Sequence, residues 1–336
     1  MYPLRFEPLF RRYLWGGRRL AEVLNKPIGD ESAAESWEVV DHGPDQSVVA
    51  FGPLAGTSLH QLVENQGEQL LGKALVDQLM SPSIPDQLRG RFPLLLKFLD
   101  ANKDLSVQVH PDDAFGATMD TPDLGKTEAW YVMHADPGAK IYSGLKDGTT
   151  EASFRQAIED NQFENVLHSF EPNAGDCIFI PAGTMHAIGA GLLIAEIQQA
   201  SDTTFRIYDW ARVDKDGKSR PLHIDQGVAA TDFSRGPVNA SASVPQTDEL
   251  GQAFSQLVAC DKFVMNRRSI NDSIQVGGDG KFRILAVTQG SIKIENDPAT
   301  EPLQMGQTAL LPACLPATRL KPVTNTELLE ILVPAS

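Results

Sequence analysis

The chain has 336 residues, 42% of them hydrophobic, enough for a substantial core and too many for one small domain, so two or three packed units are expected. Its 29 Lys and Arg face 44 Asp and Glu, a formal charge of −15, which disfavours nucleic acid and anionic membrane because both select basic surfaces. An anionic small molecule would need a local cluster of cations.

The opening stretch, MYPLRFEPLFRRYLWGGRRL, scatters charge throughout and lacks the apolar core of a signal peptide. SWEVVDH and QSVVAFG, set among Gly and Pro, predict strands joined by turns over residues 1–56. Residues 57–90 change character: TSLHQLVENQGEQLLGKALVDQLM spaces its apolar residues at helical intervals and predicts one or two amphipathic helices. Strands return with FPLLLKFLDA, SVQVH, EAWYVMHA and AKIYSGL. TTEASFRQAIEDNQFENVL predicts a further helix, capped by Thr149 or Thr150, with Phe154, Ile158 and Phe163 along its apolar stripe. β-Type runs then dominate from CIFIPAG to FRIYDWAR; HAIGAGLLIAEI, the nearest approach to a membrane span, is too short for one. Residues 231–251, TDFSRGPVNASASVPQTDELG, are small, polar and turn-forming and read as a linker to a compact β-rich tail. Cys177, Cys260 and Cys314 are odd in number and lack CxxC spacing, which fits a reducing, cytoplasmic setting and offers no thiolate metal site.

Short strands with Gly and Pro punctuation and helical insertions predict a mainly β protein built on antiparallel barrels or jelly rolls. The stretch Gly175-DCIFI-Pro181-Ala182 and the later Gly306-QTALL-Pro312-Ala313 share one spacing, so the tail reads as a degenerate copy of the same hairpin. Ala317 stands where the first copy has His186, and no metal is expected there. The expected division is a metal-binding unit of 1–56 plus 91–230, a helical insertion at 57–90, the linker at 231–251 and the degenerate unit at 252–336.

In SVQVHPDD, strand alternation sends Ser106, Gln108 and His110 to one face and Leu105, Val107 and Val109 to the other. GKTEAWYV puts Glu128 on one face with Trp130 and Val132, and a carboxylate among apolar residues is costly to bury without a cation. Gly175-x5-Pro181-x-Gly183-x2-His186 delivers His186 inward from a turn. Gln108, His110, Glu128 and His186 together offer two imidazoles, a carboxylate and an amide oxygen, a mixed set suited to Zn²⁺ and to Mn²⁺, Co²⁺ or Fe²⁺.

The Gly175–His186 spacing resembles the second motif of the cupin jelly rolls, with Ala190 where that motif usually ends in Asn. SVQVHPDD, GKTEAWYV, PAGTMHAIG and EIQQASDTTFRIYDW, in this order, resemble the short bacterial form of the type I mannose-6-phosphate isomerases. PLRFEPLFRRYLWGGRRL and AAESWEVVDH are similar to that family too, and the tail matches it loosely. The resemblance implies a cupin fold and a metal-dependent aldose–ketose isomerase that interconverts mannose 6-phosphate and fructose 6-phosphate through a cis-enediol. It implies one Zn²⁺ per chain on Gln108, His110, Glu128 and His186, and a catalytic role for Arg206. The short forms are often described with the two histidines and the glutamate alone, which leaves Gln108 open.

Such a reaction removes a proton from C2, stabilises charge on the enediol oxygens and returns a proton to C1; a divalent ion and a positioned cation serve the middle step. Arg206 shares a strand face with Tyr208, and Lys97, Lys126 and Arg206 are the cations available to a phosphate group, Lys97 and Arg206 being assigned to it. The proton is expected to move through Lys126, on the face of Glu128, or through Glu196, which shares a face with Ile194 and Gln198. The partner is thus a small sugar phosphate, and the chain a monomer or small homo-oligomer. Two other readings use the same barrel. An iron oxygenase is opposed by Gln108, where such sites begin an HxH pair, and a sugar-binding regulator is opposed by the filled ligand positions and the lack of a basic helix-turn-helix.

Overall fold

The computed structural model describes residues 1–160, 162–210, 212–213 and 217–334. In the first two thirds of the chain the strands are β1 (Leu9–Arg11), β2 (Glu35–Val39), β3 (Asp41–His42), β4 (Asp45–Gln46), β5 (Leu94–Ala101), β6 (Val107–Val109), β7 (Glu128–Ala135), β8 (Ile141–Leu145), β9 (Leu167–Phe170), β10 (Cys177–Ile180), β11 (His186–Ile188), β12 (Leu192–Gln199) and β13 (Phe205–Tyr208). The tail adds β14 (Val244–Thr247), β15 (Ala253–Ala259), β16 (Val264–Ile270), β17 (Ile274–Val276), β18 (Arg283–Gln289), β19 (Ser291–Ile294), β20 (Leu303–Gln304), β21 (Thr308–Leu311), β22 (Thr318–Pro322) and β23 (Thr326–Leu332). The protein is mainly β, with the cupin fold.

Two antiparallel sheets, β1-β2-β5-β12-β7-β10 and β13-β6-β11-β8-β9, face each other in the first part of the chain; two more, β14-β15-β16-β23-β18-β21 and β17-β22-β19-β20, form the tail. β5 reads LLLKFLDA and is buried along its whole length because both of its faces are covered. Leu94, Leu96 and Phe98 join a core that runs through to Phe263, Phe282, Ile284 and Ile331 of the tail, while Leu99 and Ala101 face inward with Trp130, Val132, Ile178 and Ile194. The outer face of the second sheet, with Val107, Val109 and Ile207, is covered by Phe154 and Val228 from the helices Glu151–Glu159 and Ile224–Ala230.

The two six-stranded sheets share register as well as order. Ile180 lies opposite Glu128 and Leu311 opposite Arg283, each residue immediately before the Pro-Ala of its hairpin. One strand further, Glu196 lies opposite Trp130 and Glu330 opposite Leu285; then Lys97 opposite Glu196 and Asn266 opposite Glu330. Arg283 thus takes the register position of Glu128, and Glu330 that of Glu196.

The 57–90 segment forms the helices Leu59–Leu71 and Lys73–Leu79. Ser58 and Gln61 close a capping box on the first, whose Leu59, Leu62, Leu70 and Leu71 pack into the shared core. Thr150, rather than Thr149, caps the Glu151–Glu159 helix. Phe163 lies beyond that helix, in a 3₁₀ turn, and still meets Phe154 edge-on at 5.6 Å between ring centroids. Of QSVVAFG only Gln46 joins a strand, while Val48 and Val49 make isolated bridges. The 231–251 segment is strapped to the first unit, Val238 N donating to Ser143 O and Ser241 N to Cys177 O, and its end becomes the edge strand β14. No helix among the described residues is long and apolar enough to cross a membrane.

Candidate active site

Cross-strand pairing assembles the site. In the second sheet Gln108 of β6 lies between His186 of β11 and Arg206 of β13. In the first, Glu128 of β7 lies between Gln198 and Ile180, and Glu196 of β12 between Lys97 and Trp130. His110 follows β6 directly. Gly183, at φ +82°, makes the turn before His186 and donates its N–H to His110 O at 2.8 Å, so one turn fixes both histidines.

His110, Glu128 and His186 are each about 1% exposed, and one ligand atom from each lies within 4.8 Å of the others. His110 Nδ1 donates to Thr203 O and His186 Nδ1 to Thr184 O, both at 2.9 Å, which leaves both Nε2 lone pairs facing the carboxylate. Those Nε2 atoms are 3.5 Å from Glu128 Oε2 and 3.4 Å from Glu128 Oε1 respectively. Burial holds both imidazoles neutral: it drives His186 down to about 4, and with Lys126 and His186 nearby it takes His110 well below the usual histidine range. Burial and Glu196 push Glu128 upward against the opposing pull of Lys126 and Lys97, and Glu128 Oε2 has no hydrogen-bond partner. Neutral imidazoles with oriented Nδ1 protons and an unsatisfied buried carboxylate oxygen form a donor set that fits a divalent cation. Gln108 stands beside the triad, its Nε2 3.3 Å from His186 Nε2 and its Oε1 accepting from Ser106 Oγ at 3.2 Å.

A cavity of ≈ 300 Å³ opens over this triad, lined by Gln108, Lys126, Glu128, Glu196, Lys97 and Arg206 among others. Lys126 Nζ donates to His110 Nε2 at 3.1 Å and lies 3.4 Å from Glu128. Lys97 Nζ lies 3.0 Å from Glu196 and 3.7 Å from Glu35. Burial opposes the Lys97 charge, but Glu196, Glu35 and Glu128 outweigh it and hold the ammonium protonated. Glu196 is likewise buried, and Lys97 and Lys126 overcome that penalty to keep its carboxyl below the ordinary glutamate range. Arg206 reaches Pro221 O with Nη1 at 3.1 Å while its Nε is unpartnered.

The family described as phosphomannose isomerase type I, catalytic domain, matches residues 4–139. The probable mannose-6-phosphate isomerase GmuF of Bacillus subtilis is 35% identical over 314 residues, 93% of this chain and 94% of the relative. A mannose-6-phosphate isomerase of Streptococcus mutans is 34% identical over 310 residues, 92% of each chain. The chain belongs to the type I mannose-6-phosphate isomerases. The crystal structure of the Bacillus subtilis mannose 6-phosphate isomerase agrees in fold, with a TM-score of 0.86 at 30% identity, over 98% of this chain and 99% of that one.

Every site residue expected for this isomerase from its sequence lines the cavity or touches a residue that does. Sequence reasoning missed Tyr13, Glu35, Asp202 and Arg220, which complete the cavity wall. Tyr13 has its phenol pushed up to about 12 by burial and by Glu35 and Asp202. Glu35 carried a legible signal, since ESWEV alternates it with Trp37 and its Oε2 accepts from Trp37 Nε1 at 2.6 Å. Asp202 and Arg220 sit in irregular loops, where no period marks a side chain as inward.

Proposed function

We propose that this isomerase interconverts mannose 6-phosphate and fructose 6-phosphate by proton transfer through a cis-enediol, with one Zn²⁺ per chain held by His110, Glu128 and His186. The observation that carries the reading is the buried triad, whose two imidazole Nε2 atoms and one carboxylate oxygen lie within 4.8 Å of one another, with Lys126 and Gln108 now donating to the nitrogens that the ion would take. When bound, the ion would supply Lewis-acid stabilisation of charge on the sugar oxygens. Gln108 would add an amide oxygen after its side chain turns, since its nitrogen now faces His186. The three free cysteines support a reducing, cytoplasmic setting.

The chain's own groups divide the remaining work. Glu196, kept ionised by Lys97, is the group that takes the C2 proton, and Lys126 steadies the oxygen next to it with an N–H bond. Arg206 and Arg220 both line the cavity, and Arg206 Nε is unpartnered, which favours them as the phosphate seat. Lys97, also expected there, shares its charge with two carboxylates and contributes mainly by setting Glu196. The 1–56 and 91–230 segments form the catalytic unit and 252–336 the metal-free copy. Arg283, at the register position of Glu128, supports this, because its guanidinium is held by Asp279 at 2.7 and 2.9 Å and by Glu330 at 2.8 Å.

The test is turnover of mannose 6-phosphate, mannose and glucose 6-phosphate side by side in ²H₂O. Deuterium appearing in fructose 6-phosphate from mannose 6-phosphate alone, and lost in Glu196→Gln, supports the reading. Turnover that persists undiminished in Glu196→Gln would oppose it.

A further inference from the structure

The His110 imidazole is oriented by the Thr203 carbonyl, and the turn that carries that carbonyl has no regular secondary structure of its own. Its geometry comes from a carboxylate across the loop. Asp123 Oδ2 accepts from Ser201 Oγ at 2.9 Å, from Thr203 Oγ1 at 2.8 Å and from Asp202 N at 3.3 Å. Its other oxygen accepts from Leu124 N at 2.9 Å and lies 3.3 Å from His42 Nε2.

Asp123 is 8% exposed, and the loop carrying it is held tightly. A side chain at Gly116 would come within 2.4 Å of Asp123 O, and one at Gly125 within 2.5 Å of Asp113 N. Burial opposes the Asp123 charge, but hydrogen bonds from His42 and Thr203 reverse the balance and keep the carboxyl below its ordinary range. His42 ends β3, in the small β3-β4 sheet, so the line His42–Asp123–Thr203–His110 runs from that two-stranded sheet to the metal triad. His186 is supported differently: the carbonyl it bonds belongs to Thr184, whose hydroxyl accepts from Arg235 at 3.1 Å and whose N–H donates to Pro181 O at 3.1 Å.

We propose that Asp123 is a positioning residue for metal binding: it clamps the 201–203 turn so that the Thr203 carbonyl holds His110 with Nε2 toward Glu128. The inference rests on the metal reading above. Removing the direct outer partner of a ligating histidine weakens metal affinity by roughly 10–100-fold while leaving the direct ligands in place, and Asp123 acts by holding that partner, Thr203. The same turn carries Asp202 and Thr204 into the cavity, so its displacement would also raise KM.

The experiment uses full-length protein and Zn²⁺ as the probe, in competition with a chromophoric chelator, for wild type, Asp123→Asn, Asp123→Ala and Thr203→Val. Thr203→Val keeps the carbonyl and removes only the hydroxyl that Asp123 accepts from. The expected result is a loss of Zn²⁺ affinity of roughly 10–100-fold in the Asp123 variants and a smaller one in Thr203→Val. The Co²⁺-loaded variants should show an altered visible spectrum. Should Asp123→Ala fail to fold, the other two carry the test. Folded variants whose Zn²⁺ affinity stays within about twofold of wild type, whatever their Tm, would overturn the assignment. A wild type that binds no Zn²⁺ would instead remove the metal reading beneath it.

Discussion

Lys97→Met removes the one cation that two buried carboxylates share, since Glu196 lies 3.0 Å from its Nζ and Glu35 3.7 Å. At an effective dielectric near 20, each of these contacts amounts to roughly 4–6 kcal/mol of gross attraction. Losing the desolvation penalty of the ammonium offsets part of that, and stripping one partner from a buried pair typically leaves a net loss of about 3–5 kcal/mol. At about 2–4 °C per kcal/mol, Tm should fall by roughly 6–20 °C. The pH dependence has a defined sign. Glu196 is held below its unfolded value, so its stabilisation is present above about pH 4.3 and is lost on acidification; Lys97 is held above its own, so its contribution persists to about pH 10.4. The deficit of Lys97→Met should therefore be full at pH 7 and shrink below about pH 4.3. Urea unfolding of Lys97→Met, Glu196→Gln and the double variant at both pH values measures it, and the double variant should recover part of the loss. A Lys97→Met protein within about 0.5 kcal/mol of wild type at pH 7 would refute this electrostatic reading.

His110→Ala should lose bound metal and turnover together, whereas Val109→Ala, on the opposite face of the same strand end, should cost about 1–3 kcal/mol of stability and keep its metal. Metal analysis with urea unfolding separates the two, and a metal-replete His110→Ala would contradict the assignment. Gly125→Ala should cost about 1–3 kcal/mol, because the new methyl meets Asp112 and Asp113 backbone at 2.5–2.6 Å; because Lys126 is next in the chain, kcat should fall as well. Glu330→Gln, which weakens the anchor of both Arg268 and Arg283, should lower Tm without changing metal content; an unchanged Tm would show that the tail's ion pairs are inert.

The sequence disclosed the parts of this molecule that repeat with a period. Alternation in SVQVH and EAWYV separated inward Gln108 and Glu128 from outward Val107 and Val109 correctly, because each strand has two chemically different faces. The repeated Gly-x5-Pro-Ala spacing falls at corresponding places in the two large sheets, with Ile180 opposite Glu128 and Leu311 opposite Arg283. The cap at Thr150 was one of two candidates, and the helix ended four residues short of Phe163, since a bulky apolar residue can pack onto a helix from the turn that follows it. What stayed hidden depends on chain segments distant in sequence. Asp123 touches Thr203 across 80 positions and Lys97 touches Glu196 across a strand pair, and a linear pattern records neither. Arg220 was overlooked because its loop carries no alternation.

The most direct test follows conversion of mannose 6-phosphate to fructose 6-phosphate by the purified protein as isolated, after exhaustive chelation, and after Zn²⁺ is restored, with metal content and folding measured on each sample. Activity that vanishes with the metal and returns with one Zn²⁺ per chain is the predicted result. Full turnover by folded, metal-free protein, or none by folded protein carrying its metal, would contradict it.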